Sequence, residues 1–330
     1  MKVLFIGGTG NISMAVSKRC IEMGMDLYLL NRGSHNLPAG SKHIQADIND
    51  HKQVATTLDE HQWDVVVNWI AFTEEEIERD FRLFQDKTKQ YIFISSASAY
   101  QKPPENFIIT ESTTLINPYW KYSQDKIACE QRLMKAFDEN SFPVTIVRPS
   151  HTYDTVIPVV YGGWQEYTIV DRIKKGQKII IHGDGTSLWT LTHSEDFAKG
   201  FCGLMGNSKA IGEDFHITSD EVFNWNQIYL MVAQAAGREP NIVHIASDFI
   251  IKVVPEHRGR LLGDKSESAV FDNSKIKSFV PDYVATIPFK EGIKRTLTWF
   301  EEDPSRQLIR ESTVEMMDRV IERYENIGFS

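Results

Sequence analysis

Tyr122 and Lys126 have the residue types and the spacing that acid–base chemistry on an alcohol requires. Because they lie four residues apart on a helix predicted over 119–137, their side chains share one face. Removing a hydride from an alcohol carbon also requires loss of the hydroxyl proton, and a tyrosinate can accept it. Free tyrosine has a pKa near ~10, and a neighbouring ammonium stabilises the phenolate and lowers that pKa. A surface pair that arose by chance is the alternative interpretation.

A run of serines ends the strand predicted before this helix. Ser95, Ser96 and Ser98 follow the apolar segment 90–94, which is typical of a buried strand. A serine hydroxyl can hold a substrate oxygen and stabilise the charge that develops on it. Since ligands bind at the carboxyl ends of parallel strands, we expect these serines and Tyr122 to meet there.

The N-terminal segment predicts where a cofactor binds. Residues 2–6 form a short apolar run that is typical of a buried parallel strand, and the glycine turn GGTG follows at 7–10. A helical pattern then begins near Ile12. Glycines let the backbone approach the phosphates of a dinucleotide, and the first free N–H groups of the helix point at them. The alternative is a glycine-rich turn of an ordinary α/β domain.

The end of the second predicted strand, 26–30, bears on the choice between NAD and NADP. An acid at this point usually holds the ribose hydroxyls, whereas a nearby arginine can accept a 2′-phosphate. Asn31 stands in place of the acid and Arg32 follows it, so the sequence favours NADP. Arg32 stacked on the adenine, or exposed to solvent, is the alternative.

Asp47 follows the short third strand, predicted at 43–46. Its carboxylate lies at the carboxyl end of a strand, where it can accept a hydrogen bond from the adenine amino group. It can also cap the helix predicted after Asn49, and both roles can hold at once.

Strands and helices alternate through the first 150 residues. Further strands are predicted at 64–68 and 143–147, and a helix capped by Thr73 extends to 85. This alternation predicts an α/β protein with a Rossmann-type, doubly wound parallel sheet. Residues 1–150 form the expected NAD(P)-binding domain.

After residue 150 the regularity weakens, and residues 151–330 predict a smaller substrate-binding lobe with some segments returning to the first domain. Its predicted elements are a helix that ends near 175, a strand over 178–181, a helix over 194–205 capped by Ser194, helices over 225–236 and 289–300, and a terminal helix within 304–324. We expect the active site between this lobe and the carboxyl-terminal edge of the sheet.

Composition excludes several classes of function. The net charge of −9 over 330 residues argues against nucleic acid and anionic membranes as partners, and favours a small-molecule substrate. No apolar run is long enough to cross a bilayer, and the N-terminus reads as a strand rather than a signal peptide. We expect a cytoplasmic protein whose three cysteines, Cys20, Cys129 and Cys202, are buried reduced thiols.

Taken together, the motifs resemble those of the extended short-chain dehydrogenases/reductases, the family of nucleotide-sugar epimerases and dehydratases. The resemblance covers nearly the whole chain: GGTGNIS at 7–13, ISSASAY at 94–100, YSQDKIACE at 122–130, VRPSHTY at 147–153, HSEDFA at 193–198, FDNSKI at 271–276 and PFKEGIKRTLTWF at 288–300. Counting back four residues from Tyr100, it implies that the catalytic serine is Ser96. A Ser96–Tyr122–Lys126 triad is then expected, with a bound oxidised nicotinamide further favouring the Tyr122 phenolate.

The resemblance also implies the cofactor contacts and the assembly. The expected contacts to NADP or NAD are Gly7, Thr9, Gly10, Asn11, Ile12, Asn31, Arg32, Asp47, Ile48, Ala71, Tyr122, Lys126 and Pro149. A homodimer is expected, in which the helices that begin after Thr73 and near residue 119 pair across a two-fold axis. Ile127, Leu133 and Phe137 support it, although they can also face their own sheet.

Three positions depart from the family pattern. Ser13 replaces the third glycine of the turn, and we expect a poorer contact between helix and strand there. Trp189 stands where many nucleotide-sugar enzymes have an arginine, which argues against a diphosphate-linked sugar. Ala97 and Ser98 occupy the positions of the Asp-Glu pair that eliminates water in the dehydratases.

The candidate substrate contacts are Ser98, Trp189, Arg258 and Arg260. The two arginines cluster with Lys265 and can bind a phosphate or carboxylate, although a solvated basic face explains them equally well. Trp164, Tyr167 and Trp189 can line a sugar pocket, but core packing is the preferred interpretation. No metal site is expected, because the histidines at 151, 182, 193, 216 and 244 are scattered.

These observations predict an NAD(P)-dependent oxidoreductase or epimerase that acts on a secondary alcohol or keto group of a sugar-like or sugar-nucleotide-like substrate. One alternative is a non-catalytic NAD(P)- or RNA-binding protein that resembles the chloroplast stem-loop-binding proteins. Another is an atypical reductase of a non-sugar small molecule. The substrate itself is not readable, because the second lobe determines it.

Overall fold

The computed structural model describes residues 1–326, so the last four positions of the predicted lobe, 327–330, lie outside the described residues. The first half of the chain contains β1 (Lys2–Ile6), α1 (Asn11–Glu22), β2 (Asp26–Asn31), β3 (Lys42–Gln45), α2 (His51–Leu58), β4 (Val65–Asn68), α3 (Glu74–Phe84), β5 (Tyr91–Ile94), β6 (Ile108–Ile109), α4 (Lys121–Asn140) and β7 (Val144–Pro149).

The second half contains shorter strands and eight further helices within the described range. They are β8 (His151–Tyr153), α5 (Thr168–Lys174), β9 (Lys178–His182), β10 (Leu188–Trp189), β11 (Leu191–His193), α6 (Ser194–Leu204), β12 (Asp214–Ile217), β13 (Phe223–Asn224), α7 (Trp225–Ala235), β14 (Asn241–Ile245), α8 (Ser247–Val253), α9 (Arg258–Arg260), β15 (Val270–Phe271), α10 (Ser274–Phe279), α11 (Phe289–Glu301) and α12 (Glu311–Glu325).

Seven strands form a parallel central sheet in the order β12-β7-β5-β4-β1-β2-β3. The predicted Rossmann-type, doubly wound sheet is therefore confirmed. The strand order reverses between β1 and β4, and a crevice forms at such a point outside the carboxyl ends of the strands. The sequence predicts six of these strands and misses β12, which has only four residues and lies beyond residue 150.

Side chains of each strand alternate between the two faces of the sheet. Val3 and Phe5 pack with α1 and α6 on one face, whereas Leu4 and Ile6 pack with α2, α3 and α4 on the other. Because helices cover both faces, the strands read as near-continuous apolar runs in the sequence.

The three cysteines are buried and free, as the sequence predicts. Cys20 of α1 and Cys202 of α6 are far apart in sequence, yet their sulfur atoms lie 3.8 Å apart where the two helices pack together. Along the described chain, no helix is long and apolar enough to cross a membrane.

The lobe has an apolar core of its own, formed by the parallel pair β9 and β14 with α5, α7, α11 and α12. Two elements beyond residue 150 nevertheless belong to the sheet layer. β12 pairs with β7, and α6 packs along α1. The short pair β6–β15 connects the two halves of the chain, and the pair β8–β11 lies within the second half.

The predicted cap of α3 by Thr73 is confirmed. The Thr73 hydroxyl accepts the N–H of Glu76, and the Glu76 carboxylate accepts the N–H of Thr73, so α3 begins with a capping box.

Two other predicted caps are wrong. The cap of α2 is Asp50, whose carboxylate accepts the N–H of Gln53. Asp47 cannot take this role because its carboxylate accepts the N–H of Asn49, in the turn before the helix. Ser194 is already the first residue of α6, and the ring of His193 accepts the N–H of Glu195 in its place.

The apolar positions that support the dimer prediction pack within one chain. Leu133 of α4 lies in the core beneath the sheet, and Phe137 packs against the same cluster. Ile127 is buried as well. The side of α4 that meets α3 carries an ion pair between Arg132 and Glu78, with a nitrogen–oxygen distance of 2.6 Å. The homodimer therefore stays a prediction.

A buried ion pair joins α4 to the sheet. The Arg148 guanidinium of β7 donates to both carboxylate oxygens of Glu130, the shortest distance being 2.6 Å, and both side chains are at most 4% exposed. Arg148 also contacts Asp214 of β12 at 2.5 Å and donates to the Tyr100 hydroxyl at 3.1 Å. The Ser95 hydroxyl donates to Glu130, so one carboxylate joins β5, β7 and α4.

Glu130→Gln tests how strongly this ion pair supports the fold. The substitution keeps the side-chain shape but leaves a buried guanidinium short of negative charge, which should lower the free energy of unfolding by on the order of 3 kcal/mol. Urea unfolding followed by circular dichroism measures it. Glu139→Gln on the same helix is the matched control, because Glu139 is 60% exposed and its contact with Lys135 spans 3.9 Å. Equal stability of both variants would contradict the supporting role of Glu130.

Candidate active site

A cavity of about 650 Å³ lies between the lobe and the carboxyl ends of β5 and β7. Ile12, Ser96 and Pro149 line it from the sheet side, and Trp164 and Trp189 line it from the lobe. This is where the sequence places the active site, and the cavity connects the start of α1 with the tyrosine–lysine pair of α4.

The glycine turn after β1 forms a cradle. Gly7 and Gly8 have φ angles of 94° and 95°, in the left-handed region that favours glycine. A Cβ atom at Gly8 would lie 2.6 Å from Leu29 Cδ2, so a larger residue does not fit between turn and strand. Asn11 and Ile12 begin α1, and their N–H groups therefore lack acceptors within the helix. The cradle fits the pyrophosphate of a dinucleotide.

Ser13, at the third glycine position, is buried without loosening the turn. Its hydroxyl accepts the N–H of Gly10 at 2.8 Å and donates to the Gly10 carbonyl at 3.4 Å. The serine therefore supplies a cap for α1, and the poorer contact between helix and strand stays an expectation.

The side chain of Asn11 ties the turn to the lobe. Its Nδ2 donates to the Thr152 carbonyl at 3.0 Å, and its Oδ1 accepts the N–H of Thr155 at 3.3 Å. Both polar atoms of the Asn11 side chain are thus engaged with the lobe, and its contact with a cofactor stays a prediction.

The residues predicted at the adenosine end lie beyond β2 and β3. Asn31 is turned inward: its Nδ2 donates to the Gly7 carbonyl at 3.3 Å, and its Oδ1 accepts the N–H of Gly33 at 2.9 Å. Arg32 is exposed, whereas Ile48 is buried in the core beneath the sheet. The contacts of Arg32 and Asp47 with a cofactor stay predictions.

Three serines form a chain of hydroxyl groups at the end of β5. The Ser123 hydroxyl donates to Ser98 at 2.8 Å, and the Ser98 and Ser96 hydroxyl oxygens lie 2.9 Å apart. Ser96 also caps the short helix Ala97–Ala99 by accepting the N–H of Ser98. Ser98, which was a candidate substrate contact, is 4% exposed and orients Ser96 within this chain.

Tyr122 lies in the first turn of α4, which begins at Lys121, two residues later than the sequence predicts. Burial raises the pKa of the Tyr122 phenol above its usual range, the neighbouring Ser96 hydroxyl opposes that shift, and the negative charge of Asp264 adds to it. The structure therefore brings Tyr122 and Ser96 together. Lys126 alone does not produce the lowered phenol pKa that the spacing predicts.

Lys126 is held by the backbone, which explains this difference. Its Nζ donates to the carbonyls of Ala71 at 2.6 Å and Ile94 at 2.8 Å, and it lies 5.9 Å from the centre of the Tyr122 ring. Burial lowers the pKa of Lys126 to about 8. An ammonium has three N–H groups, so one remains for a third acceptor.

The predicted lobe contacts separate into two groups. Trp189, Arg260 and Lys265 line the cavity together with Trp164. Arg258 does not, because its guanidinium lies over the Tyr119 ring, 5.6 Å from its centre. Tyr167 is absent from the described lining as well, since it packs in the lobe core and donates to Glu301.

Sequence reasoning missed several residues in the lining, among them Lys102 and Asp264. Lys102 belongs to a segment read only as a proline-rich loop, and no motif marks it. Asp264 precedes Lys265 in a one-turn helix, Leu261–Lys265. Its position next to Lys265 in the sequence was the signal that could have identified it as a lining residue. Between residues 1 and 326, no cluster of three or more histidine, cysteine or acidic side chains is arranged to hold a metal ion.

Fold and site together define a class: a Rossmann-type α/β protein in which one cleft joins a dinucleotide cradle to a serine–tyrosine–lysine constellation. Residues 3–218 match the family model described as the NAD dependent epimerase/dehydratase family. The chain belongs to this family.

Individual relatives are distant. The chain is 27% identical over 259 residues to the chloroplast stem-loop binding protein of 41 kDa b from Arabidopsis thaliana, over 74% of this chain and 65% of that protein. It is 21% identical to 2′-dehydrokanamycin reductase from Streptomyces kanamyceticus, over 86% of this chain and 80% of that one.

A solved structure shows the same fold. UDP-glucuronic acid 4-epimerase from Bacillus cereus, in complex with UDP-glucuronic acid and NAD, is 16% identical to the chain. It superposes with a TM-score of 0.73 over 92% of this chain and 99% of that one.

The depressed pKa of Lys126 predicts a pH effect on stability. Unfolded lysine titrates near 10.5 and folded Lys126 near 8, so between these values the unfolded state binds more protons and stability rises with pH. From pH 7 to pH 9.5, the wild type should gain on the order of 2 kcal/mol relative to Lys126→Met, which lacks this titration. Urea unfolding of both proteins at the two pH values measures it. A pH-independent difference would contradict the desolvation of Lys126.

Proposed function

We propose that the protein is an NAD(P)-dependent oxidoreductase or epimerase that acts on a secondary alcohol or keto group of a sugar-like substrate through Ser96, Tyr122 and Lys126. The observation that carries this proposal is the position of the three side chains in one cavity with Ile12, at the start of the cradle helix. A bound nicotinamide would supply hydride transfer, which the side chains of the protein cannot perform.

Each residue of the triad has a separate task in this proposal. Ser96, oriented by the Ser98 hydroxyl, holds the substrate oxygen and stabilises the charge that develops on it. Tyr122 donates a proton to that oxygen during reduction and accepts one during oxidation. The raised pKa favours the protonated phenol at neutral pH, so Tyr122 can donate its proton to a carbonyl oxygen.

Lys126 has two tasks in this mechanism. Two of its N–H groups are fixed on the Ala71 and Ile94 carbonyls, which directs the ammonium. We assign the third to the ribose next to the nicotinamide, and its positive charge then opposes protonation of the developing tyrosinate.

Dehydration is not part of this proposal. Ala97 and Ser98 carry neither the acid nor the base that water elimination requires, and Ser98 is committed to the serine chain. We therefore restrict the reaction to oxidation and reduction at one carbon, transient in an epimerase and net in a reductase.

The relative that binds stem-loops favours a second candidate function, a binding protein without turnover. Its 27% identity is the observation that supports this candidate. The intact triad and the net charge of −9 support the enzyme instead. The homodimer and the cytoplasmic location stay predictions.

Tyr122→Phe distinguishes the enzyme from the binding protein. It removes the proton-transfer group and leaves the ring to pack, so turnover should fall by roughly 10²–10⁴ while cofactor affinity is retained. The assay is product analysis with a substrate found by screening free sugars and sugar nucleotides. Tyr119→Phe is the matched control and should keep wild-type turnover. Wild-type turnover in Tyr122→Phe would overturn the assigned triad.

Cofactor preference is tested by calorimetric titration with NADP and NAD. We expect tighter binding of NADP, because Asn31 removes the usual acid and the exposed Arg32 can meet a 2′-phosphate. Arg32→Ala should then weaken NADP binding selectively. Arg82→Ala, which removes an arginine that is 73% exposed on α3, is the control. Equal or tighter binding of NAD by the wild type would contradict the preference for NADP.

A further inference from the structure

The substrate cavity is cationic although the protein is acidic. Five lysine and arginine side chains line it, against two carboxylates, Glu166 and Asp264, whereas the whole chain has a net charge of −9. Lys126 is accounted for by the triad. Two of the remaining cations, Lys102 and Lys265, meet at Trp189: their ammonium groups lie 5.7 Å and 4.4 Å from the centre of its ring.

Lys102 is a buried cation with little compensation. It is 3% exposed, and its hydrogen bond within the described chain goes to the Asp264 carbonyl at 3.5 Å. The Asp264 carboxylate itself is paired with Lys265 at 2.6 Å. A buried ammonium without a close anion destabilises a fold, so its presence in a cavity points to a ligand.

The neighbouring polar groups do not neutralise Lys102. A ring nitrogen of His182 lies 2.9 Å from the Lys265 carbonyl. Burial lowers the pKa of His182 to about 4, so its ring is uncharged at neutral pH. The indole N–H of Trp189 is buried and has no acceptor among the described residues. The two lysines and the indole N–H thus lie together with the Asp264 carboxylate. Burial lowers the pKa of Lys102 and is a larger effect than the charges of Asp264 and Glu267, which favour its ammonium.

This cluster is joined to the proposed reacting residues. Asn117 Nδ2 donates to the Ser98 carbonyl at 2.8 Å and to the Gly263 carbonyl at 2.7 Å. The segment that carries Asp264 and Lys265 is therefore braced against the loop that carries Ser96. Asp264 is also close enough to Tyr122 to raise the pKa of its phenol.

We infer that the substrate carries an anionic group, a carboxylate or a phosphate, that binds between Lys102 and Lys265 beside Trp189. This inference deepens the proposed function and rests on it, because it assigns the group to the molecule on which Tyr122 acts. Trp189 is uncharged, so the two lysines beside its ring supply the positive charge, next to the reacting residues.

Equilibrium binding of small anions tests the inference without turnover. Inorganic phosphate and acetate represent the two chemistries, and calorimetry measures their dissociation constants in the wild type, Lys102→Met, Lys265→Met and the exposed control Lys294→Met. We expect at least one anion to bind the wild type and the control equally, and to bind both cavity variants at least tenfold more weakly. Binding of phosphate indicates that the anionic group of the substrate is a phosphate, and binding of acetate indicates that it is a carboxylate.

Thermal stability separates a binding role for Lys102 from a structural one. Lys102→Met removes a poorly paired buried charge and should raise Tm, whereas a structural lysine would lower it. Two results would overturn the inference. One is that neither anion binds. The other is equal affinity in all variants, which is what phosphate bound at the start of α1 would give. Tyr122→Phe should retain the anion affinity, so loss of the proposed catalysis and loss of this subsite are distinguishable results.

Discussion

The carboxylate of Glu130 is the group on which the site depends most. It lies one turn after Lys126 on α4 and binds Arg148 of β7 with both oxygens, while Ser95 at the end of β5 donates to it. A buried charge pair tolerates little change in distance, because neither partner can turn to water. Rotation of α4 would break this pair, so the pair fixes the direction in which Tyr122 and Lys126 face. The position of the triad follows from an ion pair that takes no part in the chemistry.

Two asparagines hold the other side of the cavity in place. Asn11 binds the chain at Thr152 and Thr155, and Asn117 binds the carbonyls of Ser98 and Gly263. Each side-chain amide bonds to backbone groups of a segment more than a hundred residues away in the chain. Cradle, serine chain and lobe are therefore braced against one another around the cavity, as precise positioning of reacting groups requires.

The parts of the site that a local pattern determines are readable in the sequence. The glycines at 7 and 8 are marked by the strand pattern directly before them, and Thr73 is marked by Glu76 three residues later in the capping box. Parts that depend on contacts across the chain are not readable. Lys102 acquires its role from Asp264, 162 residues away, and the pKa of Tyr122 rises because the fold buries it. Spacing along a helix predicts which side chains are neighbours, but not how much water surrounds them.

The return of β12 to the central sheet limits how far this protein can be treated as two modules. β12 covers the outer edge of β7, and α6 covers the face of the sheet beside α1, although both follow residue 150 in the chain. A fragment that ended there would expose an unpaired strand edge and an apolar face, which promote aggregation. We therefore expect sheet and lobe to unfold together as one cooperative unit, so that the lobe cannot be exchanged as a separate module.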